Sequence, residues 1–169
     1  MDYSQFTKKL TLPTDFTAPE RLTFKDIIAH PLTRTDLQAD LEGVNSSIQT
    51  IQQTRGGSWP TEALTEAFDL LDLAWHEREF MDANSLAYVI YDTNDTYIGC
   101  FYLYAMGVRT ELTEELLPYD VDASWWVTTA AYEAGYYQKV YDAMRQWLAA
   151  DFPFSKVYYS NMKMPEPQD

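Results

Sequence analysis

The chain has 169 residues, 46% of them hydrophobic and 15% aromatic, and its formal net charge is −14 from 26 acidic and 12 basic residues. A chain of this length can form one domain whose hydrophobic core needs no disulfide or metal to stabilise it. The acidic balance opposes nucleic-acid binding, which needs basic patches. The single cysteine, Cys100, excludes an intrachain disulfide framework and favours a reducing, cytoplasmic location. No apolar run reaches the roughly 20 residues that cross a bilayer, so we expect no membrane partner.

The N-terminal part of the chain predicts an arm and a strand. Residues 1–20 contain Pro13 and Pro19 and show little periodicity, which indicates an extended arm lying on the body of the domain. Residues 22–29 are rich in Leu, Phe and Ile, and they predict a strand that ends before Pro31.

Two helices are predicted next. Thr35, with Gln38 three residues later, matches a capping box that begins a helix. The apolar residues of this helix recur at helical spacing and should face a sheet; they are Leu37, Leu41, Val44, Ile48 and Ile51. A second helix should start near Thr61 or Thr65 and end near Asn84. Its predicted apolar side consists of Leu64, Phe68, Leu71 and Trp75.

A β-hairpin and a short turn are predicted in the middle of the chain. Residues 86–91 and 97–104 are strand candidates that flank the polar loop Asp92–Thr96, so they predict a hairpin with a loop longer than two residues. After an acidic stretch, a helical turn is expected at Thr113.

The C-terminal part predicts a strand, a helix and a second strand. Residues 120–127 form a strand that runs almost directly into the helix, whose start leaves backbone N–H groups for an anionic ligand. The buried face of the helix is Tyr136, Val140, Met144 and Trp147. Residues 154–160 are the last strand. The predicted order is β-α-α-β-β-β-α-β, in a single domain over 21–161 with a tail over 162–169.

Several short motifs in this order resemble the GCN5-related N-acetyltransferase (GNAT) superfamily, and most closely its bacterial members. The motifs are His30-Pro31-Leu32-Thr33 followed by Asp36, Ser58-Trp59-Pro60, His76-Glu77-Arg78-Glu79, Ile98-Gly99-Cys100-Phe101-Tyr102 and Trp125-Trp126-Val127. The likeness covers most of residues 22–161. It implies an α/β fold of the α+β kind, with a mixed, mainly antiparallel central sheet and helices on both faces. The fold would be C-terminally short, since the chain stops soon after Asn161.

The resemblance also implies acetyl-CoA as a cosubstrate, wedged where the strand ending at Val127 splays from residues 157–160. Backbone groups at the strand end would hold the pantetheine and the acetyl carbonyl, and the following turn would hold the pyrophosphate. The implied cofactor-binding residues are Trp126, Val127, Thr128, Gly135, Tyr136 and Asn161, and no metal is implied. The turn departs from the family pattern, because it keeps one glycine, Gly135, and carries Glu133 but no basic residue.

Acyl transfer to an amine needs a base for the ammonium proton and hydrogen-bond donors near the reacting carbonyl. By resemblance, Asp122 is the candidate base, and Ser124 is a candidate hydrogen-bonding group; ordinary structural roles for both stay open. His76 is expected on a helix surface, and Cys100 is expected to be an inert buried residue.

Two functions therefore agree with the sequence. The first is an acetyl-CoA-dependent N-acetyltransferase that acts on an unidentified small-molecule amine. The alternative is a catalytically degenerate GNAT-fold module for binding or interaction. A sheet that ends at residues 157–160 would expose unpaired backbone, which predicts pairing with a second copy of the chain as a homodimer.

Overall fold

The computed structural model describes residues 8–167, and its centre is a six-stranded sheet in the order β1-β2-β3-β4-β5-β6. The strands are Leu22–Phe24 (β1), Ile27–Pro31 (β2), Leu86–Asp92 (β3), Tyr97–Tyr104 (β4), Val121–Val127 (β5) and Val157–Tyr159 (β6). Neighbouring strands are antiparallel up to β5, whereas β5 and β6 are parallel. This mixed, mainly antiparallel sheet confirms the predicted fold class.

Helices cover both faces of the sheet. They are Leu37–Asn45 (α1), Ile48–Thr54 (α2), Glu66–Met81 (α3), Thr129–Glu133 (α4) and Tyr136–Ala150 (α5). Residues from α1, α2 and α3 pack in the core on one face, and residues from α5 pack in the core on the other. A 3-10 turn over Glu114–Leu116 follows Thr113, where a helical turn was expected. No helix within residues 8–167 is long and apolar enough to cross a membrane.

Neighbouring tryptophans of β5 belong to opposite cores. Trp125 and Trp126 are both fully buried, and strand geometry sends successive side chains to opposite faces. Trp125 stacks on Tyr137 and Tyr141 of α5, with ring centroids 5.0 and 5.3 Å apart. Trp126 instead lies in the core beneath α1 to α3. Burying side chains of this size contributes roughly 2 to 3 kcal/mol each, so β5 links the two cores.

Three local predictions at the N-terminal end were wrong in their bounds. The first predicted strand is a hairpin, because the chain turns back at Lys25, whose φ is 50°. The capping box begins at Thr33, whose N–H donates to Asp36 Oδ2 at 3.0 Å, and not at Thr35. The apolar stripe of the first predicted helix is divided between α1 and α2 by a break at residues 46–47.

The predicted apolar side of α3 was also wrong. Phe68, Leu71 and Trp75 are 53%, 69% and 48% exposed, whereas Asp69 and His76 are buried against the sheet. His76 lies on the inner face because Tyr102 of β4 and Arg55 at the end of α2 surround it, and Asp69 lies beside Asp40 of α1. Tertiary contacts therefore outweigh the apolar periodicity of this helix.

The described part of the N-terminal arm lies against the domain. Leu10 is buried, and its N–H donates to the carbonyl of Asn84 at 2.9 Å. Leu12, Phe16 and Ala18 pack partly buried against the core beneath α5. The first seven residues of the predicted arm lie outside the described part of the chain.

Candidate functional site

The parallel strands β5 and β6 pair along only part of their length. The ladder joins Val121 to Val157, Asp122 to Tyr158 and Ala123 to Tyr159. One further main-chain bond follows, from the N–H of Ser160 to the carbonyl of Ala123 at 2.9 Å. Beyond it the two main chains separate, so the second half of β5 lies beside a gap where the sequence predicted one.

The side chain of Asn161 fills this gap in the middle of β5. Its Oδ1 accepts the N–H of Trp125 at 3.0 Å, and its Nδ2 donates to the carbonyl of the same residue at 2.9 Å. Nδ2 also donates to Tyr137 Oη at 2.8 Å, and Asn161 is 5% exposed. The amide therefore continues the ladder that the main chain of β6 has left.

Residues 161–166, which we call the C-terminal strap, cross the gap towards α5. Two backbone N–H groups of the strap donate to carbonyls at the end of α2, at 3.0 and 2.9 Å. From the other side, Tyr137 Oη donates to the carbonyl of Lys163 at 2.5 Å, and Gln138 Nε2 donates to that of Glu166 at 2.8 Å. The strap thus joins α2 to α5 over the second half of β5.

The turn after β5 is a helical turn in which two of the first N–H donors already have protein partners. Thr128 Oγ1 accepts the N–H of Ala131 at 3.1 Å, and the N–H of Thr129 donates to Ser47 Oγ at 2.9 Å. Gly135, with φ at 88°, makes the bend between α4 and α5, a conformation that favours glycine. These backbone groups are therefore engaged by the protein itself.

The surroundings of this turn are acidic. A cavity of about 560 Å³ opens between α1 and α4, and its lining includes Glu42, Asp95 and Glu133. Tyr136, an implied cofactor residue, donates its hydroxyl to Asp26 Oδ2 at 2.6 Å instead of turning to the gap. A phosphate in the cavity would be repelled by the carboxylates, so this structure gives the predicted pyrophosphate turn little electrostatic support.

A cluster of polar and aromatic side chains lies on the other side of β5, beneath α2 and α3. Arg55 is buried, donates from Nε to Ser124 Oγ at 3.2 Å, and holds its guanidinium 4.5 Å from the ring centroid of Tyr102. Tyr102 Oη in turn accepts Trp126 Nε1 at 2.8 Å. We call these residues, together with Trp59, Asp72 and His76, the polar cluster. Two of its members, Ser124 and Trp126, were predicted site residues.

His76 lies inside this cluster, so its expected place on the helix surface was wrong. It is 5% exposed, and its ring lies 5.5 Å from that of Tyr102. Burial, aided by the positive charge of Arg55, lowers the pKa of His76 to about 4, so the imidazole is neutral at physiological pH. Its Nδ1 has no hydrogen-bond partner within residues 8–167. One signal was present in the sequence: Asp69, Asp72 and His76 share a helix face at spacings of three and four.

Asp72 stands next to this histidine and is also perturbed. Its Oδ2 lies 3.6 Å from His76 Nε2, and its side chain is 32% exposed. Burial and the nearby carboxylate of Asp40 raise the pKa of Asp72 to about 6, although Arg55 opposes the shift. A carboxylate with a pKa near neutrality beside a neutral imidazole is typical of proton-transfer sites.

A pair of carboxyl groups, Asp40 of α1 and Asp69 of α3, lies deeper in the domain. Asp69 is fully buried beside Asp40, whose carboxylate accepts a hydrogen bond from a protonated Asp69. Burial and the charge of Asp40 raise the pKa of Asp69 to about 8, so Asp69 stays largely protonated at neutral pH. Asp40 Oδ1 accepts Tyr97 Oη at 2.5 Å and Cys100 Sγ at 3.7 Å. Burial raises the pKa of the Cys100 thiol, which is consistent with an inert residue.

The candidate base Asp122 lies at the start of β5, away from the divergence. Its Oδ1 accepts Ser160 Oγ at 2.5 Å, and its Oδ2 accepts Thr110 Oγ1 at 3.0 Å. Arg109 completes this group by donating from Nε to Ser160 Oγ at 3.1 Å. Because both carboxylate oxygens accept hydrogen bonds, Asp122 holds β5, the end of β6 and the preceding loop together.

Among residues 8–167 no group of three His, Cys, Asp or Glu side chains is arranged to hold a metal ion.

No protein-family model and no curated protein sequence matches the chain. Solved structures do match its fold. RimL, the ribosomal L7/L12 alpha-N-protein acetyltransferase in complex with coenzyme A, aligns with a TM-score of 0.58 at 14% identity, over 79% of this chain and 71% of that one. A putative ribosomal-protein-serine acetyltransferase from Vibrio cholerae aligns at 0.56 and 9% identity, over 78% and 68%.

A putative GNAT-family acetyltransferase from Bordetella pertussis aligns with a TM-score of 0.52 at 13% identity, over 78% of this chain and 73% of that one. At identities this low, the likeness concerns the arrangement of the backbone, and function has to be argued from the site. The chain has the fold of the GNAT acetyltransferases.

Proposed function

We propose that this chain is an acetyl-CoA-dependent N-acyltransferase that acts on a small amine. The observation that carries the proposal is the divergence of β5 from β6 directly beside the polar cluster. The divergence ends main-chain pairing on β5, so an extended cosubstrate can pair with this strand edge once the Asn161 amide leaves it. The cluster provides buried groups with perturbed pKa values at the same strand, a combination that marks functional sites.

The acceptor side of the site is the polar cluster. The rings of Trp59 and Tyr102 already face a cation, the Arg55 guanidinium, and in this proposal the amine takes a place beside it on the same ring faces. The whole chain carries a net charge of −14. Such a field attracts a protonated amine and raises its local concentration.

Proton removal falls to Asp72 and His76 in this proposal. The neutral imidazole offers a nitrogen without a protein partner, and Asp72, partly exposed, connects it to solvent. Acetyl-CoA would supply the acyl group as a thioester. Ser124 would position Arg55 through its 3.2 Å bond, and Asp122 would hold the ends of β5 and β6 together.

The described arrangement does not fit acetyl-CoA without rearrangement. Asn161 occupies both backbone groups of Trp125 at the divergence, and the strap crosses the same gap. The turn after β5 has the N–H groups of Thr129 and Ala131 paired and carries Glu133. The gap therefore has to open before acetyl-CoA binds.

Calorimetric titration of acetyl-CoA into the purified chain tests the proposal, followed by a thiol-release assay across a panel of primary amines. We expect binding, and turnover that falls at least tenfold in His76→Gln and in Asp72→Asn because the proton acceptor is lost. Glu62→Gln, an exposed change in the loop before α3, is the control. Absence of binding at about millimolar acetyl-CoA, which corresponds to roughly −4 kcal/mol, would discard the enzyme and leave the non-catalytic module.

A further inference from the structure

We propose that the C-terminal strap is a built-in inhibitor that occupies the cosubstrate site and must leave β5 before acetyl-CoA binds. The inference rests on the proposed function, because it concerns the same site. The strap is defined by residues 161–166, and its first residue makes the decisive contact.

The strap and the cosubstrate compete for the same edge of β5. On the side of β5 that faces β6, main-chain pairing ends at Ala123, and Trp125 is the next residue whose N–H and carbonyl point into the gap. The Asn161 amide bonds to both groups, at 3.0 and 2.9 Å. An extended ligand with amide groups needs the same donor and acceptor. Asn161 and such a ligand therefore exclude one another.

Beyond Asn161, hydrogen bonds hold the strap in place, and the strap buries little apolar surface. Met162 and Met164 are 66% and 42% exposed. Four of its hydrogen bonds connect it to the end of α2 and to α5. Segments with few buried apolar contacts and exposed hydrogen bonds open at the low end of the stability range. The strap is therefore suited to reversible release.

The strap is hydrogen-bonded directly to a residue of the polar cluster. The N–H of Met162 donates to the carbonyl of Arg55 at 3.0 Å, and Arg109 Nη2 donates to the same carbonyl at 2.6 Å. The Arg55 side chain contacts Ser124 and Tyr102. Release of the strap removes one of the bonds that fix this arginine. Opening of the cosubstrate site is thereby coupled to the acceptor side.

A reversible covalent lock tests the proposal in one and the same protein. A Cβ built on Gly56 lies 2.9 Å from Met162 Cβ, so a shift of about 0.6 Å reaches the range that a disulfide spans. Gly56 has a φ of 80°, so a cysteine there is strained, and the single variant Gly56→Cys measures the effect of that strain. We expect the double variant Gly56→Cys/Met162→Cys, when oxidised, to bind acetyl-CoA at least about tenfold more weakly than after reduction, because the open fraction sets the apparent affinity. The two single variants under the same oxidising conditions are the controls, since Cys100 is buried.

A release variant tests the opposite direction. Tyr137→Phe removes a hydroxyl that donates to the carbonyl of Lys163 and accepts from Asn161. We expect acetyl-CoA to bind at least about fivefold more tightly, because both hydrogen bonds that this hydroxyl makes to the strap are lost. Tyr88→Phe is the matched control, because its hydroxyl donates to the carbonyl of Pro19, remote from the strap.

The outcomes separate the two proposals. Equal binding by the oxidised and reduced lock, with affinity like that of the unmodified chain, overturns the inhibitory strap and leaves the transferase proposal intact. No binding by the unmodified chain, the reduced lock or Tyr137→Phe overturns both. Weak binding by the oxidised lock and tighter binding by Tyr137→Phe support the strap.

Discussion

Asn161 and Trp125 form a side-chain to main-chain pair that replaces one step of a β-ladder, with both bonds between 2.9 and 3.0 Å. The two residues are 36 positions apart in the sequence. Their pairing lets the sheet end in a gap without leaving the buried backbone of Trp125 unpaired. The side-chain amide of Asn161 is therefore what keeps the backbone of Trp125 paired in the gap.

Asn161→Ala should therefore destabilise the fold by about 3 kcal/mol, because it leaves the buried N–H and carbonyl of Trp125 without a partner and removes one bond to the Tyr137 hydroxyl. Urea unfolding followed by fluorescence measures the loss. Met162→Ala serves as the control, since that side chain is 66% exposed, and it should change stability by less than about 0.5 kcal/mol. Equal effects of the two variants would contradict the ladder role of Asn161.

The inner face of α3 gives a second prediction. Leu73 is fully buried and Leu71 is 69% exposed, although both are leucines of one helix. Leu73→Ala should cost about 3 kcal/mol through lost burial and a cavity, whereas Leu71→Ala should stay within about 0.5 kcal/mol. Thermal or urea unfolding measures both. The reverse order of effects would restore the apolar face that the sequence predicted.

The buried Asp69 predicts a pH-dependent stability. Its pKa is raised to about 8 in the folded state, so folding favours its protonated form, and stability is lost as pH rises from about 4 towards 8. Asp69→Asn removes this loss and should stabilise the fold by on the order of 5 kcal/mol at pH 7.5, with little gain at pH 4. Urea midpoints across this range measure the difference. A pH-independent difference between the two proteins would contradict the buried, protonated carboxyl.

The neutral state of His76 gives a fourth prediction, testable by NMR titration of the imidazole. The pKa of His76 should lie near 4, because burial and Arg55 both disfavour the imidazolium. Arg55→Met should raise this pKa but leave it below 6.5, since burial, the larger cause, persists. His30→Asn identifies the resonances, as the chain has two histidines. An unshifted pKa in the unmodified chain would place His76 in solvent and remove it from the proposed site.

Local sequence patterns predicted the elements that are marked by a run of apolar residues or by apolar residues at the regular spacing of a helix. The hairpin of β3 and β4 follows from two apolar runs and a polar loop, and Asp92 closes that loop by accepting the N–H groups of Asn94 and Thr96. The stripe of Val140, Met144 and Trp147 in α5 is buried as its periodicity predicted. The motifs that resemble the GNAT superfamily predicted the arrangement of the sheet.

The tertiary structure decided the inner face of α3 and the contents of the gap. His76 faces inwards because Tyr102 and Arg55, from other elements, form its surroundings, and Asp69 does so beside Asp40 of α1. Asn161 fills the gap because its partners on β5 and α5 come within 3.0 Å only when the sheet and that helix are assembled. Helix and strand patterns reflect neighbours along the chain. Buried polar contacts depend on residues that only folding brings together, and here those contacts define the site.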